Sequence, residues 1–457
     1  MITSPTFAGK HYAVLGLARS GLASVAALVA GGAKVTAWDA REEPRAFVAA
    51  AHDGAVELAD PCLIDLTGFA GVVVSPGVPI NRHPIADAAR AADVPLICDI
   101  ELFAQSRDAL PPHKVIGITG TNGKSTTTAL TTHLLTVAGV PALMGGNIGL
   151  PILGQVPLPA GGVYVLELSS YQIDLTLRLD CDVAMLLNLS PDHLDRYEGY
   201  AGYVAAKTRL FGMQAFGHLA IVDHRAEMDE DVMRDAPDGQ PFQFIDGVDL
   251  PGQQSDWPSL QGPHNRANAA AAVAAVRQMG IDDAVIERGL KSFRGLPHRM
   301  EQVGEANGVI FINDSKATNP ASAAPALAAF PPKVPGGNRR IHWILGGLPK
   351  GDDLDECAPF FGNVAAAYTI GDAGQRFAEI LTDRVPVTRS EMMCEAIRQA
   401  IEVASPGDVV LLSPACASFD QFRDYEARGD AFRQIVEVLT GEDANAADCT
   451  NLPGAST

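Results

Sequence analysis

Three things are scarce in this 457-residue sequence: paired cysteines, positive charge and long apolar runs. The seven cysteines are scattered without a C-x-x-C pair, which excludes a disulfide framework and a zinc site and leaves the expectation of reduced thiols. Lysine and arginine number 34 against 54 acidic residues, a formal net charge of −20. An acidic surface argues against nucleic acid or an anionic membrane as the main partner. Any phosphate site must then be local, built from a few cations and backbone N–H groups. No apolar run approaches the roughly 18 residues of a membrane span. The opening "MITSPTFAGKHYAVLG" lacks a charged segment followed by a long apolar one, so no signal peptide is expected and the expected location is cytoplasmic.

What is present is alternation. Short apolar strands alternate with Ala-rich helical segments almost throughout, the pattern of an α/β protein with mostly parallel sheets. There is no internal repeat and no low-complexity block. The length suggests about three domains. The first, over 1–104, runs from "HYAVLGLARSG" through "AKVTAWD" and "GVVVSPG" to "PLICDIELFAQ". "SRDALPPHK", with two prolines, reads as a linker. The second, over 105–297, opens on a strand at Val115–Thr119 and continues through "VYVLELSS", "VAMLLNLS" and "HLAIV". The third, over 298–440, has the strands "VIFIND", "IHWILGG", "AAAYTIG" and "DVVLLSP"; the polar, Ala-rich 441–457 reads as a disordered tail.

The richest motif is "GITGTNGKSTTT", Gly117–Thr128, between a strand and a helical segment. Gly120, Thr121, Asn122 and Gly123 would turn the chain so that successive N–H groups converge on phosphate oxygens, at a helix N-terminus that favours negative charge. Lys124 would reach the β- and γ-phosphates, and the Ser125 hydroxyl, with Thr126 beside it, would ligate Mg²⁺. The general pattern G-x-x-x-x-G-K-[ST] asks for glycine where Ile118 stands. A plain glycine turn before a helix is the alternative; the strand–turn–helix context favours the phosphate loop.

With its G-T-N-G-K-[ST] loop the sequence resembles the Mur ligases, ATP-dependent amide-forming enzymes of peptidoglycan precursor synthesis. The resemblance runs over nearly the whole chain, motif by motif in order. It implies three α/β domains: a Rossmann-like N-terminal domain for the uridine nucleotide, a central P-loop ATPase-like domain with a mostly parallel sheet, and a Rossmann-like C-terminal domain. It implies ATP and Mg²⁺ as cofactors. On their own, Glu167 of "LELSSYQ" and His193 of "LNLSPDHLDRY" read as solvated loop residues, and Lys207 of "GYVAAKTRLF" as a surface lysine. The resemblance makes Glu167 and His193 holders of a second Mg²⁺ and Lys207 a carbamylated lysine. Mg²⁺ prefers oxygen, so the role of His193 rests on the resemblance. Carbamylation needs a neutral amine, hence a depressed lysine pKa. The implied catalytic residues are Lys124, Glu167, His193 and Lys207, and the implied metal ligands Ser125, Glu167, His193 and the Lys207 carbamate.

The same resemblance assigns Ser20, Asp39 and Arg41, around the weak Rossmann turn "GLARSG", to the uridine nucleotide, and Asn147 of "MGGNIG" to the muramyl group. Asparagine is a poor helix-interior residue, so Asn268 of "GPHNRANAAAA" needs a reason, which the resemblance supplies as adenine recognition. Asn265 is expected as a helix N-cap. Arg299 of "GLPHRME" suits a γ-phosphate, and Asp314 of "FINDSKATNP" the ATP ribose. In that motif a surface turn capped by Thr318 is the alternative to a binding site. The "DSKATN" form resembles the members that add D-glutamate, where Lys316 and Thr318, with Lys350 of "LGGLPKG" and Ser418, Phe419 and Tyr425 of "SPACASFDQFRDYEARG", would hold it. Cys416 is expected as a packing residue.

The implied reaction is ATP-dependent addition of D-glutamate to UDP-N-acetylmuramoyl-L-alanine through an acyl phosphate. Partners are expected to be these small molecules, with no nucleic acid, no membrane and a monomeric chain. Other readings stay open: a different Mur ligase or a folylpolyglutamate synthase-like ligase, a Rossmann oxidoreductase using "GLARSG", or a non-catalytic nucleotide-binding scaffold.

Overall fold

Three sheets, all but one pairing parallel, organise the computed structural model, which describes residues 1–190, 196–223, 236–334, 336–349, 351 and 353–441. The first contains β1 (His11–Leu15), β2 (Lys34–Trp38), β3 (Val56–Leu58), β4 (Gly71–Val74) and β5 (Leu96–Ile97) in the order β3-β2-β1-β4-β5. The second contains β6 (His113–Thr119), β7 (Ala142–Gly146), β8 (Gly162–Glu167), β9 (Val183–Leu186), β10 (Leu219–Val222) and β11 (Phe242–Phe244), ordered β11-β10-β9-β6-β8-β7. The third contains β12 (Glu301–Ala306), β13 (Val309–Asn313), β14 (Ile341–Gly346), β15 (Val364–Ile370), β16 (Val387–Glu391) and β17 (Val409–Leu412), ordered β12-β13-β17-β14-β15-β16. Strands such as "GVVV" and "VAML" are buried at every residue, as strands covered by helices on both faces must be. Only β12 runs antiparallel, to β13, through a two-residue turn at Asn307–Gly308 in which both residues have positive φ.

The chain divides into two compact units, 1–251 with 267–289, and 252–266 with 290 onward. In the first, the cores of the first two sheets are continuous from Ile2 to Val222. The helix Asp99–Ser106 buries Ile100, Leu102 and Phe103, and the Phe103 ring meets Tyr164 edge-on at 5.1 Å. The segment expected as a linker is tied down at a few points, while Asp108, Ala109, Pro111, Pro112 and Lys114 are exposed. Ser106 is buried, Arg107 donates to the Asp180 carbonyl, and Arg107 Nε donates to His113 at 3.1 Å. In the second unit, separate apolar cores, one with Trp343 and Phe361 and one with Phe311 and Phe432, cover the third sheet.

Cys62, Cys98, Cys181, Cys357 and Cys416 are free thiols, while Cys394 is disulfide-bonded, against the expectation of reduced thiols throughout. Among the described residues no helix is long and apolar enough to cross a membrane. Residues 442–457, read from sequence as a tail, lie outside the described residues.

Candidate active site

In a parallel α/β sheet the loops at the carboxyl ends of the strands form the crevice where ligands sit. All three sheets carry their sequence motifs there.

The turn after β1 is built by glycine. Gly16 has φ 89°, and a Cβ on Gly21 would lie 1.9 Å from the Gly16 carbonyl oxygen, so no other residue fits either place. The Ser75 hydroxyl, from "SPG", donates to that carbonyl at 2.7 Å. Asp39, at the end of β2, accepts from Leu17 N at 2.8 Å and from Arg41 N and Nε at 3.0 and 3.2 Å. Burial pushes its carboxyl up, yet these donors hold it below its ordinary range. Ser20 lies in the first turn of the helix Arg19–Ala30, and Arg19 donates to Gly149 O at 2.7 Å, which ties this turn to the "GGNIG" loop of Asn147.

The second sheet carries the phosphate-loop candidate. β6 ends at Thr119, Gly120 and Gly123 take positive φ, and the helix Lys124–Val137 follows. Ser125 and Thr126 lie in its first turn. Lys124 Nζ curls back to donate to Gly120 O and Thr121 O, both at 2.8 Å. A Cβ on Gly123 would lie 2.3 Å from Asn268 Oδ1, so glycine here lets the Asn268 amide close on the loop. Asn265 is not the cap expected of it: it lies within the helix Pro263–Gln278 and its amide donates to Gln261 O at 3.1 Å.

Glu167 ends β8, opposite Ile118 of β6 and so beside the loop. It is 2% exposed; Oε1 accepts from Asn147 Nδ2 at 3.0 Å, and among the described residues Oε2 has no hydrogen-bond partner. A buried carboxylate oxygen left unpaired is costly, and a hard cation with oxygen ligands is one of the few groups that satisfies it. Lys207 is also only 2% exposed, which overturns the surface-lysine reading. Helix packing turns it inward, where Nζ donates to Gly120 O at 2.9 Å and Thr119 Oγ1 at 3.4 Å. Among the described residues no group of three His, Cys, Asp or Glu side chains could hold a metal. His193 and Lys350 lie outside the described residues.

In the second unit, Arg299 is flanked by two left-handed residues, His298 at φ 61° and Met300 at φ 46°. Such conformations persist only where the surroundings fix them. Glu301 Oε2 accepts from His298 N at 2.9 Å, and Asn313 Nδ2 bridges Glu301 and Gly429 O, both at 3.1 Å. Asp314 follows β13, accepting from Met300 N at 3.2 Å and from the Ser413 hydroxyl at 2.8 Å. Burial raises its pKa to about 7, against the pull of Ser413 and Arg299. Lys316 is exposed, and its Nζ donates to Tyr425 OH at 3.3 Å over the face of that ring. Burial of the Tyr425 phenol raises its pKa to about 12. Thr318 is not the helix cap; Asn319 is, its side chain accepting from Ser322 N at 2.8 Å. Ser418 is buried and Phe419 is 69% exposed. Cys416 is fully buried, and burial raises its thiol to about 12, as befits a packing residue.

Two residues within the quoted motifs are given no role from sequence. Asn188, in the loop after β9, clamps the phosphate loop: its Oδ1 accepts from Asn122 N at 2.8 Å and its Nδ2 donates to Asn122 O at 2.9 Å. Arg428, within the helix Tyr425–Thr440, is 1% exposed. Arginine on a helix gives no sequence signal of burial; "LNLS" after a strand is at least a loop asparagine at a strand end.

Comparison with known proteins identifies the family. Three family models match in sequence: a Mur ligase MurD-like N-terminal domain over residues 10–98, a Mur ligase middle domain over 118–242, and a Mur ligase glutamate ligase domain over 298–416. The chain belongs to the Mur ligase family. Two of its relatives are named UDP-N-acetylmuramoylalanine--D-glutamate ligase. The one from Novosphingobium aromaticivorans is 67% identical over 96% of this chain and 97% of its own length. The one from Sphingopyxis alaskensis is 61% identical over 96% and 100%. Among solved structures, the UDP-N-acetylmuramate-alanine ligase MurC of Thermotoga maritima shares the fold at TM-score 0.52 and 17% identity, over 94% of this chain and 99% of that one. MurF of Acinetobacter baumannii does so at 0.53 and 17%, over 90% of each. The Mur ligase fold thus confirms the expected α/β class.

Proposed function

We propose that this chain is an ATP-dependent ligase that joins D-glutamate to the alanyl carboxylate of UDP-N-acetylmuramoyl-L-alanine. The observation that carries the reading is the G-T-N-G-K-S loop with the Lys207 amine on its Gly120 carbonyl and the unpaired Glu167 oxygen beside it. The names of the relatives support the choice of substrates.

In this reading the substrate carboxylate attacks the γ-phosphorus of ATP and ADP leaves. The D-glutamate amine then attacks the acyl carbon, loses a proton and expels phosphate. The N–H groups of Gly120 to Thr126 cradle the phosphates, Lys124 exchanges its loop carbonyls for phosphate oxygens, and Arg299 pairs with the γ-phosphate. Asn268 faces adenine, and Asp314 uses its remaining lone pairs for the ribose. Glu167, Ser125, His193 and a Lys207 carbamate would hold Mg²⁺, which when bound neutralises phosphoryl charge. Lys207 forms that carbamate when its neutral amine adds CO₂ and releases a proton. Ser20, Asp39, Arg41 and Asn147 hold the nucleotide sugar; Lys316, Thr318, Lys350, Ser418, Phe419 and Tyr425 hold the amino acid. The chain acts as a cytoplasmic monomer.

Phosphate release tests this, with ATP, UDP-N-acetylmuramoyl-L-alanine and a panel of amino acids. Release with D-glutamate is expected to exceed that with L-glutamate or lysine by orders of magnitude. Equal release with either, or none with D-glutamate, overturns the assignment.

A further inference from the structure

The crevice of the third sheet opens at the carboxyl ends of β13, β17 and β14, adjacent strands joined in register at Asn313, Leu412 and Ile344. Beneath it lies one cation, the Arg428 guanidinium, almost wholly buried. Among the described residues no carboxylate forms an ion pair with it. Four of its hydrogen bonds go to two loops. Nε donates to the Ser315 hydroxyl at 3.0 Å, and Nη2 donates to Ser315 O at 2.8 Å and Cys416 O at 3.0 Å. Nη1 donates to Ala417 O at 3.1 Å. The third loop approaches too: a Cβ on Gly347 would lie 3.1 Å from Nη1. Burial lowers the Arg428 pKa to about 10, still far above neutrality, so the charge is permanent.

A buried guanidinium with no carboxylate in contact, only the more distant charge of Asp420 acting on it, is expensive, and an apolar side chain would fill the same space at lower cost. What it gains is control of three peptide planes. In a trans peptide the C=O and N–H point in opposite directions. The Ser315–Lys316 plane is pinned on both sides, by Arg428 and by Lys316 N donating to His298 O at 2.9 Å. The Cys416–Ala417 plane is pinned likewise, through Ala417 N donating to Leu348 O at 3.0 Å. In the Ala417–Ser418 plane, Arg428 and Leu348 N, at 3.0 Å, share the carbonyl, which directs the Ser418 N–H away from the guanidinium. The loop also carries Ala415 in the left-handed region, at φ 58°, a conformation that must be held in place.

We infer that Arg428 is a positioning residue for the acidic amino-acid substrate: it aims Ser418 and the Lys316 backbone and sets a fixed positive charge under the carboxylates they receive. This rests on the proposed function, which supplies the dicarboxylic substrate. Arg428 touches neither substrate nor ATP in this assignment.

The test varies ATP, UDP-N-acetylmuramoyl-L-alanine and D-glutamate in turn for the wild type, Arg428→Lys and Arg428→Gln, with thermal unfolding of each. Arg428→Gln should raise the KM for D-glutamate roughly tenfold or more, about the loss of one charge-assisted hydrogen bond. The KM values for ATP and the nucleotide should stay within about twofold and kcat should change less than KM. Arg428→Lys should also raise the amino-acid KM, because an ammonium lacks the planar fork. An unchanged D-glutamate KM in either folded variant overturns the inference, as does a parallel rise in all three KM values or failure of both variants to fold. If the wild type prefers another amino acid, the functional reading fails while the Arg428 claim is read on the KM of that amino acid. If it uses none, both fail.

Discussion

Each unit buries a cation against backbone carbonyls at the carboxyl end of its sheet, and the two are chemically unlike. Lys207 places one ammonium on Gly120 O and Thr119 Oγ1, both within a single strand-end loop. Arg428 spreads a rigid fork over Ser315, Cys416 and Ala417, in two loops. An amine can lose a proton and become a nucleophile toward CO₂; a guanidinium cannot be deprotonated at neutral pH. The first arrangement suits a site whose charge must change sign, the second a site whose charge must stay.

The largest effect should come from the lysine. Lys207→Ala is expected to lower kcat by about 10³-fold, the scale of losing a preorganised group that stabilises transition-state charge. Partial rescue by a short carboxylic acid, measured as phosphate release, would separate a carbamate from a bare ammonium. Undiminished turnover in that variant breaks the comparison at its first member. A smaller effect is expected at Asn188, which holds the phosphate loop without touching the proposed amino-acid site. Asn188→Ala removes two hydrogen bonds to Asn122 and should cost about 1–2 kcal/mol in urea unfolding. It should raise the KM for ATP while leaving that for D-glutamate unchanged, the reverse of the Arg428 pattern. The smallest is a pH effect. The Asp314 carboxyl titrates near 7 in the folded chain against an ordinary 3.8, so the folded state binds that proton more tightly. Its contribution to stability is full below about pH 4 and is lost as pH rises through 7. Asp314→Asn should flatten that decline in a pH series of thermal unfolding; an unaltered slope would sink the raised titration of this buried carboxyl.

Local features were legible in the sequence. A strand running into G-T-N-G-K-S and then a helix is fixed by glycine conformations and neighbours within a dozen residues, and it is found as expected. So is the alternation that gives three sheets, since strand and helix periods repeat over short spans. Caps were less legible: Asn319 rather than Thr318 caps its helix, because one residue of shift in the chain's entry decides which side chain reaches the free N–H. The anchoring of Arg107 and His113 within Ser106–Lys114 was not legible, because it comes from Asp180 and Tyr164, which local composition does not register.

By itself, then, the sequence determined the α/β alternation, the phosphate-loop candidate and the order of motifs that marks a Mur ligase, because each depends on near neighbours along the chain. Only tertiary structure decided that Lys207 and Arg428 are buried cations, that Glu167 keeps an unpaired oxygen, and that Asn188 clamps its loop. Burial and hydrogen bonding are set by residues tens to more than a hundred positions away, brought together when parallel strands align their carboxyl ends.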